Sequence, residues 1–255
     1  MENIDSKTLK NAQKIMLEIL IEVDRICVKN NIEYWLDSGT LLGAVRHQEF
    51  IPWDDDLDIA MRIEDYNKFC TIVTQELKSG LFLQNFKTDS SFPYDFIKIR
   101  SDKGMIIEKH EKGKQINYNQ GIFIDIFPTI SIKSGIIHKY MYKINFLLIK
   151  LFSYKYLNLL KISRYFVLMS STLHIGWKNK NVKVIYRGNM PFIPFYVPIK
   201  SIFPLKKALF ENREFPIPCN ANDYLASLYG DDYMTLPPEN KRKTHAHSIE
   251  IFDAK

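Results

Sequence analysis

Apolar residues recur every three or four positions from Leu9 through Ala12, Ile15, Met16, Ile19, Leu20, Val23 and Ile26 to Cys27. That spacing predicts an amphipathic helix over residues 8–30. The period then shortens. Residues 32–36 alternate and predict a strand that runs into the turn Ser38-Gly39-Thr40. Leu41 to His47 reads as a short helix begun by that turn, whose first N–H groups would face any bound phosphate. Leu57 to Arg62 is a second strand. Glu64 to Leu77 is a second helix, with Tyr66, Phe69, Cys70, Ile72, Val73 and Leu77 turned inward. Leu81 to Phe86 and Phe96 to Arg100 read as strands. Gly121 to Phe127 is a strongly apolar strand holding one acid, Asp125, and Pro128 is expected to end it. Residues 135–175 predict two or three helices. The four prolines within 190–204 predict loop and short extended pieces. Tyr224 to Tyr229 is a short helix, and Gly230-Asp231-Asp232 and Pro237-Pro238 are turns.

Composition narrows the class. The 255 residues are 46% hydrophobic and 25% charged, which suits a globular protein with a sizeable core. Three scattered cysteines, Cys27, Cys70 and Cys219, offer neither a zinc cluster nor a disulfide framework. The N-terminus is polar, and no apolar run reaches ~18 residues, so neither a secretory signal nor a transmembrane helix is predicted. A cytoplasmic protein is expected.

The net charge of +6 hides a division. Between Asp125 and Glu211 there is no acidic residue and there are fourteen Lys and Arg, which leaves 21 basic against 29 acidic residues elsewhere. Three parts follow: a catalytic core at 1–132, a basic, aromatic helical insert at 133–207, and a return to the core at 208–255. The insert suits an anionic surface, either at the inner face of a membrane or on an acceptor; packing on the core with its lysines in water is the plainer use. No nucleic-acid recognition motif is present.

The candidate chemistry sits at Trp53-Asp54-Asp55-Asp56-Leu57-Asp58-Ile59. Four carboxylates in five positions repel one another and resist burial without a counter-ion. Strand alternation puts Asp56 and Asp58 on one face, a hard oxygen pair suited to Mg²⁺ or Mn²⁺. Asp54 is a possible third ligand, Asp55 faces the other way, and an exposed acidic turn is the competing reading. Asp125, amid apolar neighbours, is either a third metal ligand, a general base or a buried hydrogen-bonded acid. Arg46 can hold phosphate oxygens or pair with a nearby aspartate. Lys98 and Arg100 share a strand face that is either solvated or turned to phosphate. Trp53, with Tyr34 and Trp35, could stack on a base or hold an ammonium group, or lie in the core. His245 and His247 read as part of a polar tail.

Three blocks carry a resemblance. Tyr34–Ile59, YWLDSGTLLGAVRHQEFIPWDDDLDI, resembles the hallmark block of the LicD family, which includes bacterial phosphocholine transferases and is related to the fukutin-type ribitol-phosphate transferases. Gly121–Pro128 and Phe215–Pro238 resemble later blocks in the same order. The resemblance implies an α+β, nucleotidyltransferase-like fold: a mixed sheet with helices, a Gly-Ser/Thr turn, an Asp-x-Asp strand and a third acid on a later strand. Carried over, the turn is Ser38, Gly39 and Thr40, and the metal-binding and catalytic acids are Asp56, Asp58 and Asp125; the reading of the residues adds Arg46, Trp53, Asp54 and Lys98 to the expected substrate site. Fifteen residues separate Thr40 from Asp56, which leaves the assignment among Asp54, Asp56 and Asp58 open. The zinc-binding cysteines of some fukutin-type relatives have no counterpart. The implied activity is transfer of a phospho-alcohol, with phosphocholine from CDP-choline foremost, to a sugar hydroxyl of a lipid-linked or surface glycan (teichoic acid, lipopolysaccharide or capsule), with Mg²⁺ or Mn²⁺. The alternatives are CDP-glycerol, CDP-ribitol or CDP-ethanolamine as donor, or a non-catalytic nucleotide- or glycan-binding relative.

Overall fold

A computed structural model describes residues 4–94, 96–133, 182–186 and 196–252. Helix α1 spans Ser6–Lys29, and its Asp5 cap accepts from the Lys7 and Thr8 N–H groups at 3.0 and 2.9 Å. The apolar stripe from Leu9 to Cys27 is buried, and it packs on the sheet and closes the core.

Among the described residues the sheet has eight strands. In chain order the described strands are β1 (Tyr34–Leu36), β2 (Asp58–Arg62), β3 (Leu81–Gln84), β4 (Ile97–Glu108), β5 (Gly121–Lys133), β6 (Val182–Tyr186), β7 (Tyr196–Pro198), β8 (Lys206–Phe210), β9 (Arg213–Ile217) and β10 (Ala246–Ile251). The central order is β1-β2-β5-β4-β10. Strand β2 runs parallel to β5, and the other pairs are antiparallel, so the sheet is mixed. Strand β4 is long enough to pair with β3 along its first half and with β10 along its second, on the edge away from β5. Strands β8 and β9 form a separate hairpin.

Helix α2 (Ser38–Arg46) follows β1 directly, and α3 (Ile63–Glu76) follows β2. Helix α4 is the single turn Ile199–Ile202, and α5 is Ala221–Tyr229. The expected α+β, mixed-sheet class is the one observed.

One detail differs from the sequence-based expectation. Pro128 does not end β5, which continues to Lys133. The Asp125 N–H donates to Leu57 O at 2.8 Å on the β2 side. By alternation the Pro128 nitrogen faces the β4 side, where the ladder already stops at Ile97–Ile126. The missing donor therefore breaks no ladder bond. The helices expected over 135–175 lie outside the described residues; within the described part of the insert, β6 and β7 extend the sheet as strands and α4 is a single helical turn.

Candidate active site

The turn after β1 and the start of β2 are stitched together. Asp37 N–H donates to Asp58 O at 3.0 Å, and Asp58 N–H donates to the Thr40 hydroxyl at 2.8 Å. Asp37 also caps Ser38 N–H at 2.8 Å, and Ser38 takes a left-handed φ of 47° at the head of α2. A non-glycine residue held there is strained, a feature that concentrates at functional sites. From α5, the buried Tyr224 hydroxyl donates to Asp37 at 2.7 Å, while Trp35 Nε1 donates to that hydroxyl at 3.2 Å.

The sheet register does the rest. Asp58 on β2 lies beside Asp125 on β5, and Asp125 lies beside Lys98 on β4. Register neighbours on adjacent strands point to the same face. Lys98 Nζ is 2.7 Å from Asp125 and 3.3 Å above the Phe123 ring. Lys98 is 1% exposed, so the solvated strand face is not its environment. Arg100, equally buried, turns away to Gln84 and the Gly121 carbonyl, both at 2.6 Å.

A cleft of about 960 Å³ opens over these groups. Ser38, Gly39, Arg46, Trp53, Asp54, Asp56, Asp58, Lys98 and Asp125 all line it. Thr40 does not: it is buried, and its hydroxyl holds the Asp58 backbone rather than a ligand. Arg46 donates to His47 Nε2 and to Tyr233 O, both at 2.9 Å, and makes no ion pair with an aspartate among the described residues. A Cβ at Gly39 would lie 2.6 Å from Asp54 Oδ2, so glycine lets the head of α2 approach this carboxylate.

The C-terminal strand supplies residues that a local reading misses. Buried Asp55 accepts from the His245 N–H at 2.8 Å and from the Ala246 N–H, fixing the start of β10. His245 Nδ1 thereby sits 3.1 Å from Asp56 Oδ2. The histidine expected in a polar tail is part of the cleft wall. Tyr229, at the end of α5, lines it too.

Electrostatics separate the carboxylates. Burial, reinforced by Asp56, holds the Asp54 carboxyl well above the usual range. Burial and the surrounding aspartates do the same to Asp58. Burial raises Asp125 to about 6 against the opposing pull of Lys98. Burial also works against Asp56, but the His245 hydrogen bond and charge outweigh it and hold that carboxyl below its ordinary value. The Asp56 contact raises His245 to about 9. Carboxylates that would rather keep protons than face one another are a donor set for a hard divalent cation. Asp54, Asp56, Asp58 and Asp125 offer oxygens of that kind, although no three of them bring ligand atoms within 4.8 Å of one another.

The LicD/FKTN/FKRP nucleotidyltransferase domain matches residues 31–163, more than half of the chain and the span that carries all four of these acids. This chain belongs to that family. The LicD lipopolysaccharide cholinephosphotransferase of Haemophilus influenzae is 26% identical over 96% of this chain and 98% of its own length. The mouse ribitol 5-phosphate transferase FKRP is 33% identical over 38% of this chain, but only 17% of that protein is covered. An uncharacterized Rickettsia prowazekii protein, RP689, is 54% identical over 20% of this chain. The mixed sheet with helices described above is consistent with a nucleotidyltransferase-like LicD fold, and the LicD and FKRP relatives are named as transferases of phospho-alcohols. Among the described residues no helix is long and apolar enough to cross a membrane.

Proposed function

We propose that this LicD-family enzyme transfers phosphocholine from CDP-choline to a hydroxyl of a cell-surface glycan and releases CMP. The observation that carries the reading is the convergence, in one cleft, of Asp54, Asp56, Asp58 and Asp125 with Lys98 and the head of α2. The full-length likeness to a cholinephosphotransferase supports the donor. The partial likeness to FKRP supports ribitol phosphate as the second reading.

The acceptor oxygen attacks the phosphorus that carries the choline, and the bond from that phosphorus to the CMP oxygen breaks. The N–H groups at the start of α2, with Ser38 and Gly39 at its head, face the donor phosphates and favour their negative charge. Arg46 and Lys98 add positive charge on either side of the cluster. Asp125, beside Asp58 in the strand register, takes the acceptor's proton. Asp54, Asp56 and Asp58, with Asp125 beside them, would hold Mg²⁺ or Mn²⁺, which would supply charge neutralisation at the phosphates.

The test is CMP release with Mg²⁺ or Mn²⁺ across CDP-alcohols, with a membrane glycolipid extract as acceptor. One donor should be used, and Asp56→Asn should abolish its turnover. Turnover by Asp56→Asn at the wild-type rate would overturn the assignment of the acids.

A further inference from the structure

The cleft is chemically lopsided. Beyond the aspartates it is lined by Arg46 and Lys241. The segment just before β4, with β4 and β5 themselves, contributes rings and an acid. Tyr94 stacks on Phe96 with centroids 5.3 Å apart and planes 14° from parallel, and Phe96 meets Phe127 at 4.6 Å. Phe92 braces the group from behind, edge-on to Tyr94 at 5.0 Å. Glu108, half-buried at the end of β4, lines the same cleft. Phosphate and metal chemistry need none of these groups.

Glu108 stands out because its neighbours are already engaged. Glu111 accepts from the Tyr118 hydroxyl at 2.5 Å, from Gln120 at 3.0 Å and from the Glu108 N–H at 2.9 Å. His110 Nε2 lies 2.6 Å from the Tyr94 hydroxyl. Glu108, His110 and Glu111 can bring one ligand atom each within 4.8 Å of one another, but a metal ion there would have to displace those bonds. The carboxylate of Glu108 has no hydrogen bond or ion pair among the described residues. Lys98 Nζ is 5.4 Å from the Phe96 centroid, yet it is bound to Asp125. The result is a half-buried carboxylate near a group of rings, with no ion pair to it among the described residues.

Ring faces offer a polyol no hydrogen bonds. A primary ammonium would lose its hydration there without gaining enough acceptors. A methylated ammonium is weakly hydrated, cannot donate, and gains from both the rings and the carboxylate. We infer that Tyr94, Phe96, Phe127 and Glu108 form the subsite that selects the donor's alcohol, and that it takes a quaternary ammonium. This rests on the transferase reading above.

The experiment compares wild type, Glu108→Gln and Tyr94→Leu. Each is assayed for kcat/KM on CDP-choline and CDP-glycerol, and separately for equilibrium binding of choline and of CMP by calorimetry. The isosteric Glu108→Gln change keeps the fold. The expected result is about a 10-fold loss of selectivity for CDP-choline in each variant, with CMP affinity retained. Equal losses on both donors, or unchanged selectivity, would overturn the subsite while leaving the transferase reading intact. If the wild type uses no CDP-alcohol, the transferase reading fails and choline binding decides alone. Choline bound by wild type and lost in Glu108→Gln upholds the subsite; no choline binding by wild type rejects it.

Discussion

Gly39→Ala separates the fold from the site. Gly39 lies in the first turn of α2 with an ordinary backbone conformation, so alanine is compatible with it. Helix propensity alone favours alanine by up to about 1 kcal/mol, less in a first turn. The new Cβ, however, would lie 2.6 Å from Asp54 Oδ2 and 3.6 Å from its Cγ. The obstructing atom is the end of a side chain, so the protein relieves the clash by withdrawing the Asp54 carboxylate. Restoring ordinary contact needs roughly 1 Å of movement, and a misplacement of ~1 Å at a reacting centre lowers rate by about 100-fold. Thermal unfolding should therefore show a Tm within about 3 °C of wild type. CMP release from CDP-choline should fall between ~10- and ~100-fold. In an Asp54→Ala background the same substitution should have little further effect, because the group it displaces is gone. Full activity in Gly39→Ala would refute the placement of Asp54 at the reacting centre. A Tm drop of about 10 °C would show instead that the backbone, not the carboxylate, gives way.

Three further expectations follow from the same geometry. Thr40→Val keeps the side-chain shape but leaves the buried Asp58 N–H without its acceptor, so stability should fall by about 1–3 kcal/mol in denaturant unfolding; an unchanged midpoint would mean that this bond contributes nothing. Asp125 is raised to about 6 in the folded state from an ordinary value of 3.8, so its contribution to stability is fully present below that ordinary value and is lost as pH rises through about 6. Protein stripped of metal should thus lose stability between pH 4 and 7 through this group, and the Tm gain on adding Mg²⁺ should grow over the same window; a gain that is flat with pH would exclude Asp125 from the cation site. Replacing several lysines of residues 133–207 by glutamine should weaken sedimentation with anionic liposomes in low salt, and undiminished binding would remove the insert as a membrane contact.

How much of this was legible beforehand can be read from single residues. The helical period from Leu9 to Cys27, the strand at Leu57 to Arg62 and the apolar run around Asp125 are local patterns, because burial of one face imposes its period on neighbouring positions. Local patterns also marked the Asp54–Asp58 cluster, since like charges this close need an ion or water. Pro128 was misjudged because a proline ends a strand only where its missing N–H faces a partner, and that depends on where β4 stops. Thr40 looked like part of a phosphate turn; its partner is a backbone N–H eighteen residues further on.

What the sequence by itself determined was most of the elements up to β5, the acidic motif and the family, because each is written in short-range spacing and residue type. What only the tertiary structure decided was who meets whom. Parallel pairing of β2 with β5, and antiparallel pairing of β5 with β4, puts Asp58, Asp125 and Lys98 in one row although 26 residues separate the last two. Asp55 draws the chain back from 190 residues away and sets His245 against Asp56. The rings at 94, 96 and 127 meet only because two strands bring them to one end of the cleft. Register and chain return are set by the packing of the whole core, and no window along the sequence contains them.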